Sequence, residues 1–101
     1  MIVGQETYSY DVAEGWEQLP AGWHHGDVSG VATDSQDRVY VFNRSEHPVI
    51  VYERDGSFLG SWGEGVFTRP HGITVTADDI VWCADDSDHT VRKFTTRCRR
   101  R

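Results

Sequence analysis

Apolar residues in this chain fall in short runs rather than at helical spacing. From Gly30 onward, Val, Ile, Tyr, Phe and Trp cluster a few at a time and are cut apart by Asp, Asn, Ser, Gly and Pro. That pattern belongs to strands joined by tight turns. It predicts strands near 30–33, 38–42, 49–53 and 58–62, and again near 72–75, 80–84 and 90–94. The turns between the first set lie at 34–37, 43–48 and 54–57, the last holding the hairpin-favouring pair Asp55-Gly56. Upstream, Thr7 to Val12 alternates like a strand, and Trp16, Leu19, Pro20 and Trp23 form an aromatic connector of low regularity.

The two sets of strands are copies of one unit. Gly30 to Tyr52 laid over Gly72 to Phe94 needs no gap and sets an offset of 42 residues. Gly30/Gly72, Asp37/Asp79, Val39/Val81, Ser45/Ser87, His47/His89 and Val49/Val91 are identical at that offset. Val31/Ile73, Tyr40/Trp82, Glu46/Asp88 and Tyr52/Phe94 keep their character. Four consecutive antiparallel strands in about 40 residues make one blade of a β-propeller, so the chain reads as all-β with two antiparallel blades. The division expected is an N-terminal strand and connector over 1–27, a first blade over 28–67, an incomplete second blade over 68–96 and a basic tail over 97–101. Thr7 to Val12 fits the outer strand of a neighbouring blade.

After Phe94, where a turn and a fourth strand are due, the sequence reads TTRCRRR. It is read either as a truncated or frame-shifted form of a longer protein or as an authentic basic tail for an acidic surface.

Charge narrows the partners. The ten basic residues include Arg97, Arg99, Arg100 and Arg101, so 1–96 hold six against sixteen acids, a net −10. Such a surface argues against nucleic acid, whose phosphates need a basic face. No apolar run approaches the roughly 18 to 20 residues of a membrane-spanning helix, and 1–10 lack the basic start and apolar stretch of a signal peptide, which makes the cytoplasm the expected compartment and a membrane partner unexpected. Cys83 and Cys98 form no CxxC pair, and Cys83 lies in an apolar run, where a buried reduced thiol is expected.

Successive turns of an antiparallel meander alternate between the two ends of the sheet, which sorts the polar residues without an alignment. The segments leading into each blade lie at the same end as the turns between second and third strands. All five histidines, His24, His25, His47, His71 and His89, fall there, with Arg44, Asp85 and Asp86 beside them. Imidazole is the commonest transition-metal ligand, so this end is the candidate site. His47 and His89 sit at equivalent repeat positions and are expected to serve the turn or its packing; His24 and His25 are expected in solvent. Asp85 and Asp86 are expected to accept backbone N–H bonds in their turn. His71 stands apart: in Arg69-Pro70-His71-Gly72 it immediately precedes the innermost strand, which lines the axis of a propeller.

The order of glycine start, acidic turn, Val-aromatic strand, polar turn and Val-x-x-aromatic strand resembles the NHL repeat of β-propellers, over Val28 to Phe94. VSGVATD at Val28 to Asp34, FNR at Phe42 to Arg44 and PHGI at Pro70 to Ile73 resemble the opening blades of the peptidyl-α-hydroxyglycine α-amidating lyase family. The resemblance implies a six-bladed propeller that holds zinc on three histidines, carries a structural calcium and cleaves a carbinolamide to a peptide amide and glyoxylate. It implies zinc ligation by His71, contact of Arg44 with substrate, and calcium contacts from the backbone carbonyls of Val31 and Ile73. The family's other zinc histidines, its catalytic tyrosine and its calcium aspartate belong to later blades, so the chain alone is expected to be catalytically silent. The alternative is a module binding a peptide or small molecule without chemistry. The partners expected are further blades or other copies; three copies of two blades would bring three His71 side chains to one axis.

Overall fold

The computed structural model describes residues 2–5 and 7–96. The tail at 97–101 lies outside them. Among the described residues, nine strands form three antiparallel sheets. β1 (Ile2–Gln5) and β2 (Tyr8–Asp11) make a hairpin; β3 (Asp27–Thr33), β4 (Val39–Arg44), β5 (Val49–Tyr52) and β6 (Phe58–Trp62) form a four-stranded meander. β7 (Pro70–Val75), β8 (Ile80–Asp85) and β9 (Thr90–Thr95) form a second meander of three strands. The expected all-β architecture of partial propeller blades is what the chain adopts.

The offset of 42 residues governs the backbone as well as the sequence. A β-bulge interrupts β3 between Val28 and Gly30 and β7 between Pro70 and Gly72, two positions that superpose in the repeat. Asp37 and Asp79, also equivalent, both turn the chain at φ 61°; aspartate tolerates this left-handed conformation better than most residues because its short polar side chain bonds locally. The bulges let β3 and β7 begin before the glycines, so both inner strands start earlier than the apolar pattern alone indicates.

Alternation gives each strand two faces, and in the first sheet one is covered by the second sheet and the other in part by the connector. Tyr40, Phe42, Val49 and Val51 point toward the second sheet and bury with Val81 and Cys83, closed by Phe67, Ile73 and Phe94. Val41, Ile50 and Tyr52 point the other way and are covered by Trp16, Leu19 and Trp23 of the connector. β5 is therefore buried at every position. Complete burial of a side chain of this size is worth about 1.5–3 kcal/mol, so the doubly covered β5 is the stable heart of the molecule. The connector is pinned at one end of the sheet by Trp16 Nε1 donating to Arg54 O at 3.0 Å and Gln18 N–H to Gly56 O at 2.8 Å. Near the other end, Trp23 stacks on His47 with ring centres 3.5 Å apart.

The N-terminal strand forms inside the expected span, Thr7 to Val12: β2 pairs with β1 from Ile2↔Asp11 to Gln5↔Tyr8 in a separate hairpin whose described side chains are exposed. The alternation of Tyr8 and Tyr10 specified a strand, but nothing in it specified the partner.

Candidate functional site

Two buried polar side chains build the histidine-rich end. In the first sheet Asn43 Oδ1 accepts the N–H of Gly26 at 3.0 Å, while Nδ2 donates to His47 O at 2.9 Å and Pro48 O at 3.2 Å. In the second, Asp85 accepts Thr68 N–H at 2.6 Å and Arg69 N–H at 2.9 Å on one oxygen, and Ser87 and Asp88 N–H at 3.0 and 3.1 Å on the other. Each ties the segment leading into its sheet to the turn between the second and third strands. Burial works to raise the Asp85 pKa, but the N–H donors of Arg69, Asp88, Ser87 and Thr68 outweigh it and hold the carboxyl at about 2. The structural role expected of Asp85 is the role it has.

Asp86 departs from that expectation. Its carboxylate meets side chains instead of backbone N–H groups: His71 Nδ1 at 3.3 Å and Arg69 Nε at 3.5 Å. Asp85 takes the Ser87 and Asp88 N–H groups of the turn and the Thr68 and Arg69 N–H groups of the entering segment, and Asp86 is left to side-chain partners. His71, with a side chain 61% exposed, thus stands at the end of β7 with one ring nitrogen against a carboxylate and Nε2 directed elsewhere. Arg44 reaches across from the first sheet, its Nε donating to Pro70 O at 2.9 Å, and so fixes the residue before His71. Arg44 also lines a cavity of about 240 Å³ with Trp23, His24 and His47, and among the described residues it has no carboxylate partner.

The five histidines do not converge. His24 is exposed, as expected. His25, expected in solvent, is half-buried: its Nε2 lies 2.9 Å from the Tyr52 hydroxyl and its Nδ1 3.9 Å from Glu17. Burial, helped by the charge of Glu17, pushes the Tyr52 hydroxyl up to about 12, so it remains protonated. His47 stacks on Trp23 and sits 3.2 Å from Glu64, which is the packing role expected of it. His89 turns the chain at φ 60° and is exposed. Among the described residues no group of three or more His, Cys, Asp or Glu is placed to hold a metal ion.

Val31 and Ile73 lie on the two inner strands, which run side by side; the backbone nitrogen of Ile73 is 3.2 Å from the position a Cβ on Gly30 would take. Ile73 packs into the inter-sheet core and Val31 faces away from it. At the opposite end, Asp34 gathers Arg38 Nε at 2.6 Å, the Tyr40 hydroxyl at 2.7 Å and the N–H groups of Gln36 and Arg38. Ser35 N–H donates to Asp79 Oδ1 at 2.9 Å, clamping the first turns of the two sheets together. Asn43 and Glu64 escaped the reading of the sequence; the pairing of Asn43 with Asp85 at the repeat offset was the signal available for the first, and Glu64 left none.

With this geometry the chain can be set beside known proteins. No family model matches it. Peptidylglycine alpha-amidating monooxygenase of Rattus norvegicus is 27% identical over 118 residues, covering 78% of this chain and 12% of that protein. Peptidyl-alpha-hydroxyglycine alpha-amidating lyase 1 of Drosophila melanogaster is 47% identical over 42 residues, 42% of this chain and 8% of the lyase. The chain is similar to the amidating lyases. Lyase 2 of the same fly extends the likeness, at 26% identity over 104 residues, to 77% of this chain and 26% of its own length. The chain therefore spans about an eighth or less of the first two relatives and about a quarter of the third.

Proposed function

We propose that this chain forms adjoining blades of an NHL-type, six-bladed propeller related to the peptidyl-α-hydroxyglycine α-amidating lyases, and that it supplies His71 and Arg44 to the catalytic end. The observation that carries the reading is the His71–Asp86 pair at 3.3 Å. A histidine that ligates a metal commonly gives its other ring nitrogen to a carboxylate, which fixes the ring and leaves one nitrogen for the ion. His71 is in ion-pair contact with Asp86 through Nδ1, which leaves Nε2 as the nitrogen for zinc. One imidazole does not make a zinc centre, and the described residues of this chain do not fit one by themselves. Arg44, half-buried and lacking an acidic partner among the described residues, suits a substrate carboxylate, for which a guanidinium offers paired donors. The carbonyls of Val31 and Ile73 remain candidates for calcium. The 101 residues alone are catalytically silent in this reading.

A chimera tests it. The fly lyase 1 carrying residues 28–96 of this chain in place of its corresponding blades releases glyoxylate from a peptidyl-α-hydroxyglycine and loses that activity on His71→Ala. A folded but inactive chimera, or one indifferent to His71→Ala, refutes the proposal. A second reading, a binding module without chemistry, draws on the 240 Å³ cavity beside Arg44. It requires that a peptide with a free carboxylate bind this chain and that Arg44→Ala abolish the binding.

A further inference from the structure

The two sheets meet through a contact whose two halves are each present a second time, open. At the existing interface Gly30 provides a socket: a Cβ there would lie 3.1 Å from Ile73 Cγ2 and 3.2 Å from Ile73 N. Shifted by one repeat, the socket becomes Gly72 and the plug becomes Val31. Gly72 has nothing within 4 Å of the equivalent position, and Val31 is 58% exposed.

The rest of the interface repeats in the same way. Tyr40 and Val49, fully buried against the second sheet, correspond to Trp82 and Val91, which are 39% and 68% exposed on the second sheet's outer face. Val81 and Cys83, which bury with Tyr40, correspond to Val39 and Val41. Those two line an apolar groove of about 240 Å³ on the first sheet, between the connector and β3. The connector covers only part of that face and leaves Val28 and Val31 open along the groove. Charge agrees as well: Lys93 lies over the Trp82 ring at 5.7 Å, and Glu17 stands at the groove.

From this continuity we infer that the chain associates head to tail with a second copy of itself, Trp82 of one copy entering the groove between the connector and β3 of the next and Val31 filling the space over Gly72. The contact joins different surfaces of the two copies, so it either closes a ring or propagates. The inference rests on the repeat geometry alone and stands or falls separately from the lyase reading.

Sedimentation equilibrium of the full chain from about 1 to 500 μM tests it. The wild type shows a mass rising above the monomer with concentration. Gly72→Val fills the socket with a side chain whose Cβ has nothing within 4 Å in the monomer, and Val31→Asp removes the plug; each weakens association at least tenfold while the circular dichroism spectrum and melting midpoint remain those of wild type. Trp82→Lys, at a surface position, does the same and serves where a Gly72 variant folds poorly. Mixing Gly72→Val with Val31→Asp leaves one intact contact per pair, and the mixture forms a dimer and nothing larger. A wild type that stays monomeric throughout overturns the inference, as does association insensitive to these variants or a mixture that fails to pair.

Discussion

Asn43 and Asp85, one repeat apart, perform the same task with opposite chemistry. Asn43 accepts one N–H and donates to two carbonyls; Asp85 accepts four N–H groups and donates none. Both are buried, and each fastens the segment leading into its sheet to a turn, which fixes Arg44 next to Asn43 and Asp86 next to Asp85.

The two residues are consequently not exchangeable. Asn43→Asp sets a carboxylate against two carbonyl oxygens, and Asp85→Asn sets an amide NH₂ against backbone donors. Each swap, like each alanine variant, is expected to cost about 2 kcal/mol, the scale of stranding a buried hydrogen-bonding group. Denaturant titration of the four variants measures this, and a swap that unfolds like wild type contradicts the assignment.

Acid sensitivity follows from the same site. Asp85 titrates at about 2 in the folded protein against an ordinary 3.8. A carboxyl lowered by folding adds stability that is complete above its unfolded pKa and lost as pH falls through the folded value. Asp34, where burial is outweighed by bonds from Tyr40 and Arg38, is lowered too and acts in the same direction. Unfolding midpoints are expected to fall between about pH 4 and pH 2, and Asp85→Asn, though less stable at neutral pH, to show a shallower fall. An equal slope in that variant would assign the acid response elsewhere.

Cys83 reports on the contact between the sheets. It is buried with a free thiol, and burial pushes that thiol up to about 12. Thiolate is the reactive form. At pH 8, peptide mapping after iodoacetamide treatment should find Cys83 unmodified in folded protein and labelled at the rate of unfolding. Rapid labelling under native conditions would mean the two sheets separate.

Much of this fold was legible because the physics behind it is local. β-branched and aromatic runs between turn residues gave the strands of both sheets, and the equal spacing of His47 and His89 or Val49 and Val91 gave their kinship. What stayed hidden depends on distant partners. Trp16, Leu19 and Trp23 have no periodicity, so nothing in their spacing announces that they cover Val41, Ile50 and Tyr52. His25 looked solvated because its partner Tyr52 is 27 residues away. Of the candidate site, the end of the sheet holding His71 and Arg44 was predictable from turn alternation, whereas the Asp86 contact depends on His71 and Arg69, which lie 15 and 17 residues away in sequence.

The connector's grip on the first sheet gives a further prediction. Gly56 turns at φ +92°, and a Cβ there would lie 1.9 Å from Trp16 O. Gly56→Ala therefore adds both backbone strain and a clash with main chain, and is expected to lower stability by about 1–3 kcal/mol. Red-shifted tryptophan emission should accompany it as Trp16 lifts from Tyr52. Unchanged emission and midpoint would detach Trp16 from the β5–β6 turn.

The account depends most on the stacking of the two repeats through their inner strands, with Gly30 seated against Ile73. The most direct measurement is the nuclear Overhauser effect between the Gly30 α-protons and the Ile73 amide proton in isotopically labelled protein. The stacked arrangement predicts a strong cross-peak between these residues, 43 apart in sequence, because the corresponding separation at a Gly30 Cβ is 3.2 Å. Its absence, with intact cross-strand peaks inside each sheet, would show two sheets that form but do not pack as consecutive blades.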